Sequence, residues 1–470
     1  MTDAIALQAL SPLDGRYQQQ TRELTGYFSE FALIRYRVRF EVAYLVAFLE
    51  TTKIVTISAK QIVQLRKVAT LFSLADAQAV KAHEMKCHHD VKAVEYFLQD
   101  TLTVLGLTNL TPYIHFSLTS EDCNSVAYGL ALKESRDAVL LPALQQLIAA
   151  LVGVVEKYAD LPMLARTHGQ PAVPTTLGKE YAVFLARLLP EITAIAATTF
   201  VAKISGAVGT YSAQSLAFPE VEWLAFTKKL LNDLGLVADP LSTQVVSAES
   251  MVRFFQTLQR INNILLDCAR DSWQYIADGW LVQTTTATDV GSSTMPQKVN
   301  PIDFENAEGN FGLANALLAH LSEKLPISRL QRDLSDSTVK RSIGVALGHS
   351  LLGYQSLVRG LGKVSAHPAT MAQALSHHPE IISEGLQTLL RADGVSEAYE
   401  IFKAATRGKQ LGSLEELRGL ATKHARTKTT KQKIAALTPK SYLGLATQLA
   451  RQTLNSVAKY QKGQYASATK

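Results

Sequence analysis

Gly291-Ser292-Ser293-Thr294-Met295-Pro296-Gln297-Lys298-Val299-Asn300, with Pro301 behind it, is a polar island between two long apolar stretches. A threonine-rich run, Thr284, Thr285, Thr286 and Thr288, leads into it. On one side Glu249 to Leu281 repeats apolar residues at three- and four-residue spacing, and on the other Glu305 to Leu325 does the same. That periodicity predicts an amphipathic helix on each side. A Gly/Ser/Pro-bounded loop between two core helices is where a chain puts chemistry rather than packing, because its polar groups stay available.

Outward from that loop the same period recurs. Tyr27 to Glu50, Ser58 to Leu74, Val91 to Leu107, Ala127 to Tyr158, Thr176 to Ile204 and Ser337 to Val364 all read as helices. The fourth should break near Leu141-Pro142, and Pro190, which lacks a donor, should kink or split the fifth. Strand signals are nearly absent, Leu161-Pro162-Met163-Leu164 being a short extended candidate. No nucleotide-cradling Gly-x-x-x-x-Gly-Lys and no internal repeat occurs. Long helices joined by polar loops predict an all-α helix bundle. A helix of roughly 30 residues spans about 45 Å, so association of bundles is a natural way to bury such helices. Pro/polar breaks at Thr108-Asn109-Leu110-Thr111-Pro112 and Ser365-Ala366-His367-Pro368 divide the chain into expected domains 1–109, 110–365 and 366–470.

Composition narrows the class. The chain has 470 residues, 47% of them hydrophobic, enough for a large interior in two or three domains. No run of about 18 uncharged apolar residues stands out as a membrane span, and the N-terminus lacks the basic and apolar regions of a signal peptide. Three cysteines without metal spacing predict a reducing, cytoplasmic setting. The charge of +6 gathers partly in Lys423, Arg426, Lys428, Lys431 and Lys433, but no aromatics interleave there, so no nucleic-acid partner is expected. A cationic balance suits a substrate bearing phosphate and carboxylates.

Five further islands carry chemistry-bearing residues. Thr167-His168-Gly169-Gln170-Pro171 places a histidine off any apolar helical face. His115-Phe116-Ser117-Leu118-Thr119-Ser120-Glu121-Asp122 combines a histidine with hydroxyls that could cap a helix, hold a carboxylate, or both. In Lys86-Cys87-His88-His89-Asp90, a helix starting near Asp90 reads better than a metal site made with His83. Ser328-Arg329-Leu330-Gln331-Arg332-Asp333 through Ser337 to Arg341 supplies guanidinium forks suited to carboxylate and phosphate. Ser11-Pro12-Leu13-Asp14-Gly15-Arg16-Tyr17 reads as a turn.

The Gly-Ser-Ser-x-Met-Pro-x-Lys-x-Asn-Pro loop resembles the signature of the fumarase/aspartase superfamily. The six islands in their order resemble the adenylosuccinate lyase family, its bacterial branch, over nearly the whole chain. The resemblance implies a three-domain fumarase/aspartase-like fold and a homotetramer with shared active sites. It implies fumarate elimination from adenylosuccinate and from succinylated aminoimidazole carboxamide ribotide, with no metal or organic cofactor. It further implies Ser293 as general base, His168 as general acid oriented by Glu305, and His115 assisting. Arg16 and Tyr17 would contact phosphate, with His89 and Asp90 lining the same pocket. Thr119, Ser120, Gln244, Lys298, Asn300, Arg332, Ser337 and Arg341 would bind carboxylates, phosphate or base. The chain departs from the family pattern at Gln297, His88, Ser205, Thr210 and Gln214, and these bear on substrate contacts rather than on the acid and base. A sister lyase acting on argininosuccinate and an idle protein on the same fold are the rival readings. Arg16-Tyr17 speaks against the first, and joint retention of Ser293, His168, Lys298 and Glu305 against the second.

Overall fold

The structure, a computed structural model, describes residues 4–284, 294–407 and 413–468, with side chains in the last helix as far as 462. Its described residues are dominated by helices, among them Glu30–Thr52, Glu249–Ala277, Ile302–Lys324, Ile343–Lys363 and Ala446–Ala468. Where strands form they pair two by two. Two compact units result: residues 1–144, 191–263 and 309–353, and residues 145–190, 264–308 and 354–470.

In the first unit the Glu30–Thr52 helix is the centre. Ser29 caps it by accepting from the Ala32 N–H, and Lys53 ends it in a left-handed turn. An aromatic cluster grows from its far end: Phe48 lies tilted 4.8 Å from Phe116 and meets Phe218 edge-on at 5.5 Å. Where the long helices pass through this unit, buried amides tie them laterally. Asn262 donates to Asn315 and Ser350, and His349 Nδ1 lies 2.9 Å from Asn310 Oδ1. Two glycines let the N-terminal segment lie close against the last of these helices. A Cβ at Gly344 would sit 2.4 Å from Phe28 Cβ, and one at Gly348 would sit 2.9 Å from Leu13 Cδ1.

In the second unit, Tyr181 and Ser272 share a buried hydrogen bond of 2.8 Å, and Arg359 and Lys363 both reach Asp303.

Several expectations need correction. The first helix is two, Gln18–Phe28 and Glu30–Thr52, because Ser29 leaves the helical region (ψ 163°) to act as cap. Pro142 does not break the fourth. Ser120–Ser135 passes through a π-helical turn, Arg136–Leu140, into Leu141–Tyr158, and that wider turn absorbs the donor the proline lacks. Pro190 does not split Leu177–Ala196, which stays helical through it. The chain also holds more strand than its pattern suggests: Pro162–Thr167 pairs antiparallel with Gln170–Thr176. Prolines at 162, 171 and 174 hid that hairpin, yet proline is tolerated in a ribbon with two edges.

The continuous helix from Ser120 to Tyr158 is long and apolar enough to cross a membrane by length and composition. Beyond Pro142, however, burial falls on one stripe (Leu144, Leu147, Ile148, Leu151, Val155), while Gln145, Gln146 and Glu156 are exposed. That is the pattern of a core helix with a polar face.

Candidate active site

The sequence-predicted residues fall into both units. Arg16, Tyr17, His89, Asp90, His115, Thr119, Ser120, Gln244, Arg332, Ser337 and Arg341 belong to the first; His168, Lys298, Asn300 and Glu305 belong to the second. Ser293, with Gly291 and Ser292, lies outside the described residues.

In the first unit the helix Asp90–Val104 opens at the expected place. His89 is its N-cap, Nδ1 accepting from the Lys92 N–H at 3.0 Å, which fixes the exposed ring. Asp90 pairs with Arg37 at 2.7 Å and with Arg341 at 3.3 Å, and Arg341 also reaches Glu30 at 2.9 Å. Burial alone would raise the Asp90 pKa, but the Arg37 guanidinium outweighs it and holds the carboxyl below its ordinary value. A depressed folded-state pKa stabilises the fold above the unfolded value of about 3.9 and stops doing so as pH falls through the folded value. Asp90→Asn is therefore expected to flatten the loss of stability below about pH 4, read by urea unfolding at a series of pH values. An unchanged acid limb would show that the pair carries no such linkage.

Thr119 is the N-cap of Ser120–Ser135, its N–H donating to Asp122 Oδ2 at 2.8 Å. Ser120 begins the helix, where free backbone N–H groups and the helix dipole favour an anion. Arg332 Nη1 donates to Gln244 Oε1 at 3.4 Å, and Gln244 Nε2 donates to Ala207 O at 2.9 Å. Arg332 also lies 3.3 Å from Glu121. Lys340 bridges Glu121 and Asp336 at 3.0 and 2.7 Å. Burial works against the Lys340 charge, but the two carboxylates hold its pKa above the ordinary value. Ser337 is half-buried in the short helix Ser335–Lys340 between them. Exposed Arg16 lies over the Tyr17 ring at 5.9 Å, and Tyr17 directly precedes the helix Gln18–Phe28.

In the second unit His168 and Gly169 form the two-residue turn of the hairpin. Thr167 pairs with Gln170, and both turn residues have positive φ, 53° and 74°, as a type I′ turn requires. The imidazole is exposed at the tip. Lys298 is exposed, and its N–H donates to Met295 O at 3.1 Å, a short turn leading toward the helix Ile302–Lys324. Asn300 is half-buried in that approach. Glu305 accepts from the Trp273 indole at 3.1 Å. Among the described residues no hydrogen bond joins Glu305 to His168.

Several buried charged residues around these segments were not legible in advance. Arg37, Glu41 and Glu121 read as the charged faces of amphipathic helices, and only their burial shows otherwise. His115 Nδ1 lies 2.7 Å from Glu41 Oε1, with Nε2 3.9 Å from Glu95. The departures also find places. His88 closes the helix Leu74–Cys87 in a left-handed conformation (φ 54°), which histidine and asparagine both adopt more readily than most residues. Ser205 Oγ lies 3.3 Å from Ser242 Oγ, Thr210 Oγ1 lies 2.6 Å from Ser212 Oγ, Gln214 is buried and Gln297 is exposed.

The lyase family profile matches residues 15–314, and a profile for the adenylosuccinate lyase C-terminal region matches residues 328–443. Adenylosuccinate lyase of Vibrio cholerae serotype O1 is 43% identical, over 94% of this chain and 98% of its own. The Escherichia coli K12 enzyme is 41% identical over 94% and 97%, and that of Dictyostelium discoideum 41% over 93% and 97%. The chain belongs to the adenylosuccinate lyase family. Its fold is shared with 3-carboxy-cis,cis-muconate lactonizing enzyme from Pseudomonas putida, at a TM-score of 0.75 and 18% identity over 94% and 98% of the two chains. A fumarate lyase from Mesorhizobium shares it at 0.73, with 19% identity over 93% and 97%. The chain is thus a lyase with an all-α fumarase/aspartase-like fold.

Proposed function

We propose that this lyase eliminates fumarate from adenylosuccinate, releasing AMP, and from succinylated aminoimidazole carboxamide ribotide in purine nucleotide synthesis. The observation that carries the reading is the match to adenylosuccinate lyases over nearly the full length of both chains. The residue types support it. Elimination removes a proton from the carbon next to a carboxylate, forms a C=C bond, breaks the C–N bond and returns a proton to the departing nitrogen. His168, exposed on a two-residue turn, is the proposed acid. Ser293 is the proposed base; its hydroxyl must act as the alkoxide, which nearby backbone N–H groups and the Lys298 ammonium would stabilise. Arg16 and Tyr17 would contact the phosphate, with His89 and Asp90 lining the same pocket. Thr119, Ser120, Gln244, Lys298, Asn300, Arg332, Ser337 and Arg341 would bind the carboxylates, phosphate or base. No metal or organic cofactor takes part in this scheme.

We further propose the three-domain division 1–109, 110–365 and 366–470 and a cytoplasmic homotetramer. In such an assembly a neighbouring subunit would bring Glu305 to His168. The three free thiols suit a reducing compartment.

Purified protein mixed with adenylosuccinate, with argininosuccinate in parallel, tests the substrate. Loss of adenylosuccinate absorbance with matching fumarate is expected; turnover of argininosuccinate alone would transfer the chain to a sister activity. Arg16→Ala is expected to raise the Michaelis constant for adenylosuccinate about ten- to a hundredfold with little change in kcat, the size of a lost charge-assisted contact. An unchanged Michaelis constant would remove Arg16 from the site.

A further inference from the structure

The Glu30–Thr52 helix is largely buried, and Arg37, Glu41 and Tyr44 run along one side of it. Residues at i, i+4 and i+7 share a helix face. Arg37 reaches the start of the Asp90 helix, and Glu41 and Tyr44 both reach the His115 segment. Arg37 binds Asp90 at 2.7 Å and Asn124 Oδ1 at 2.9 Å. Glu41 Oε1 meets His115 Nδ1 at 2.7 Å, and the Tyr44 hydroxyl donates to Phe116 O at 2.8 Å. Apolar side chains in such positions often stabilise a core as well as buried ion pairs do. Packing therefore does not explain the row, whereas orientation does.

Glu41 is the member with the most to orient. Its side chain has no exposure and that of His115 is 10% exposed. His115 and Ser117 both have positive φ, 53° and 57°, a strained conformation that brings the ring onto the helix. We propose that Glu41 is a positioning residue for the elimination, acting through His115: it takes up Nδ1 and leaves Nε2, beyond hydrogen-bond length of Glu95, as the nitrogen able to donate to bound substrate. The inference rests on the functional reading above.

The surroundings favour a charged ring. Glu41, Glu95 and Asp122 face it from three helices; Lys92 pairs with Glu95 at 2.7 Å, and the buried Cys123 thiol lies against Glu41 and Arg37. Burial and Glu41 push the Cys123 thiol well above its ordinary range, so it adds no negative charge. Burial works against the His115 charge, but Glu41, then Glu95 and Asp122, outweigh it and raise the ring's pKa. The stabilisation this gives is complete below about pH 6.5 and is lost as pH rises through the folded value.

The test is the pH dependence of fumarate release by wild type, Glu41→Gln, His115→Ala and the double variant. Glu41→Gln keeps the side chain's size and removes its charge. It is expected to lower kcat about tenfold or more, with the Michaelis constant little changed and the alkaline limb moved to lower pH. In the His115→Ala background it should cost nothing further. Wild-type kcat and pH profile in Glu41→Gln, or the same proportional loss with and without His115, would overturn the proposal. Should Glu41→Gln not fold, Glu41→Asp retains the charge with a shorter reach: a loss confined to the His115 background supports the proposal, and equal losses in both backgrounds overturn it. A wild type that releases no fumarate from adenylosuccinate fails the functional reading and this inference with it, whereas an active wild type with an indifferent Glu41 fails this inference alone.

Discussion

His168→Asn is expected to leave a folded chain that releases fumarate about 10²–10⁴-fold more slowly than wild type, the usual contribution of a positioned general acid. Asparagine is the more informative replacement than alanine. His168 occupies a left-handed position at the first residue of a two-residue turn, with φ 53°. Asparagine adopts that conformation readily, so the hairpin between Pro162–Thr167 and Gln170–Thr176 keeps its register while the proton donor is lost. Alanine would add turn strain to the loss of the acid and blur the result. The ring is exposed, so no core packing is removed. The measurement is kcat at saturating adenylosuccinate beside the circular dichroism of each variant. Near-normal turnover by a folded His168→Asn chain would end the assignment of His168 as acid, wherever the base resides.

That position also shows what a sequence can and cannot disclose. The Thr-His-Gly-Gln-Pro island stood out because its histidine belongs to no helical face. The hairpin that holds it was obscured by the very prolines that bound it. The long helices were legible because a 3.6-residue period survives over many turns. Their ends were less so: the break at Ser29 is set by one side chain accepting from Ala32 N–H, and the passage through Pro142 depends on a π-helical turn. The helix starts at Asp90 and near Thr119 were readable from local chemistry alone, since a cap is a contact over three residues. Arg37, Glu41 and Glu121 were not. On a sequence they look like the wet side of a helix, and their partners lie far along the chain: Asp90 for Arg37, His115 for Glu41 and Lys340 for Glu121.

The pair Asp122 and Lys203 is the strongest example of such a hidden contact, and removing half of it should have the largest effect on stability. Both side chains are fully buried. Asp122 Oδ1 receives the Lys203 ammonium and the Ser205 N–H at 3.0 Å; Oδ2 receives the N–H groups of Thr119 at 2.8 Å and Gly206 at 3.1 Å. The ammonium also donates to Gly206 O at 2.9 Å. One carboxylate therefore ties the start of the Ser120–Ser135 helix to the 203–206 segment, whose next carbonyl, Ala207 O, holds Gln244. Lys203→Met leaves that carboxylate in the core with no counter-charge and should cost about 3–5 kcal/mol, read as a lower urea midpoint. Asp122→Asn strands the ammonium instead and should cost a similar amount. The double variant removes both charges, so its loss should be smaller than the sum of the two. If the pair served only to fill space, methionine, close to lysine in size, would be tolerated and the double variant would be additive. A loss under about 1 kcal/mol for Lys203→Met would make that case. Should the double variant fold with its stability largely restored and still bind adenylosuccinate poorly, the pair's value would lie in placing Thr119 and Gln244 rather than in holding the core together.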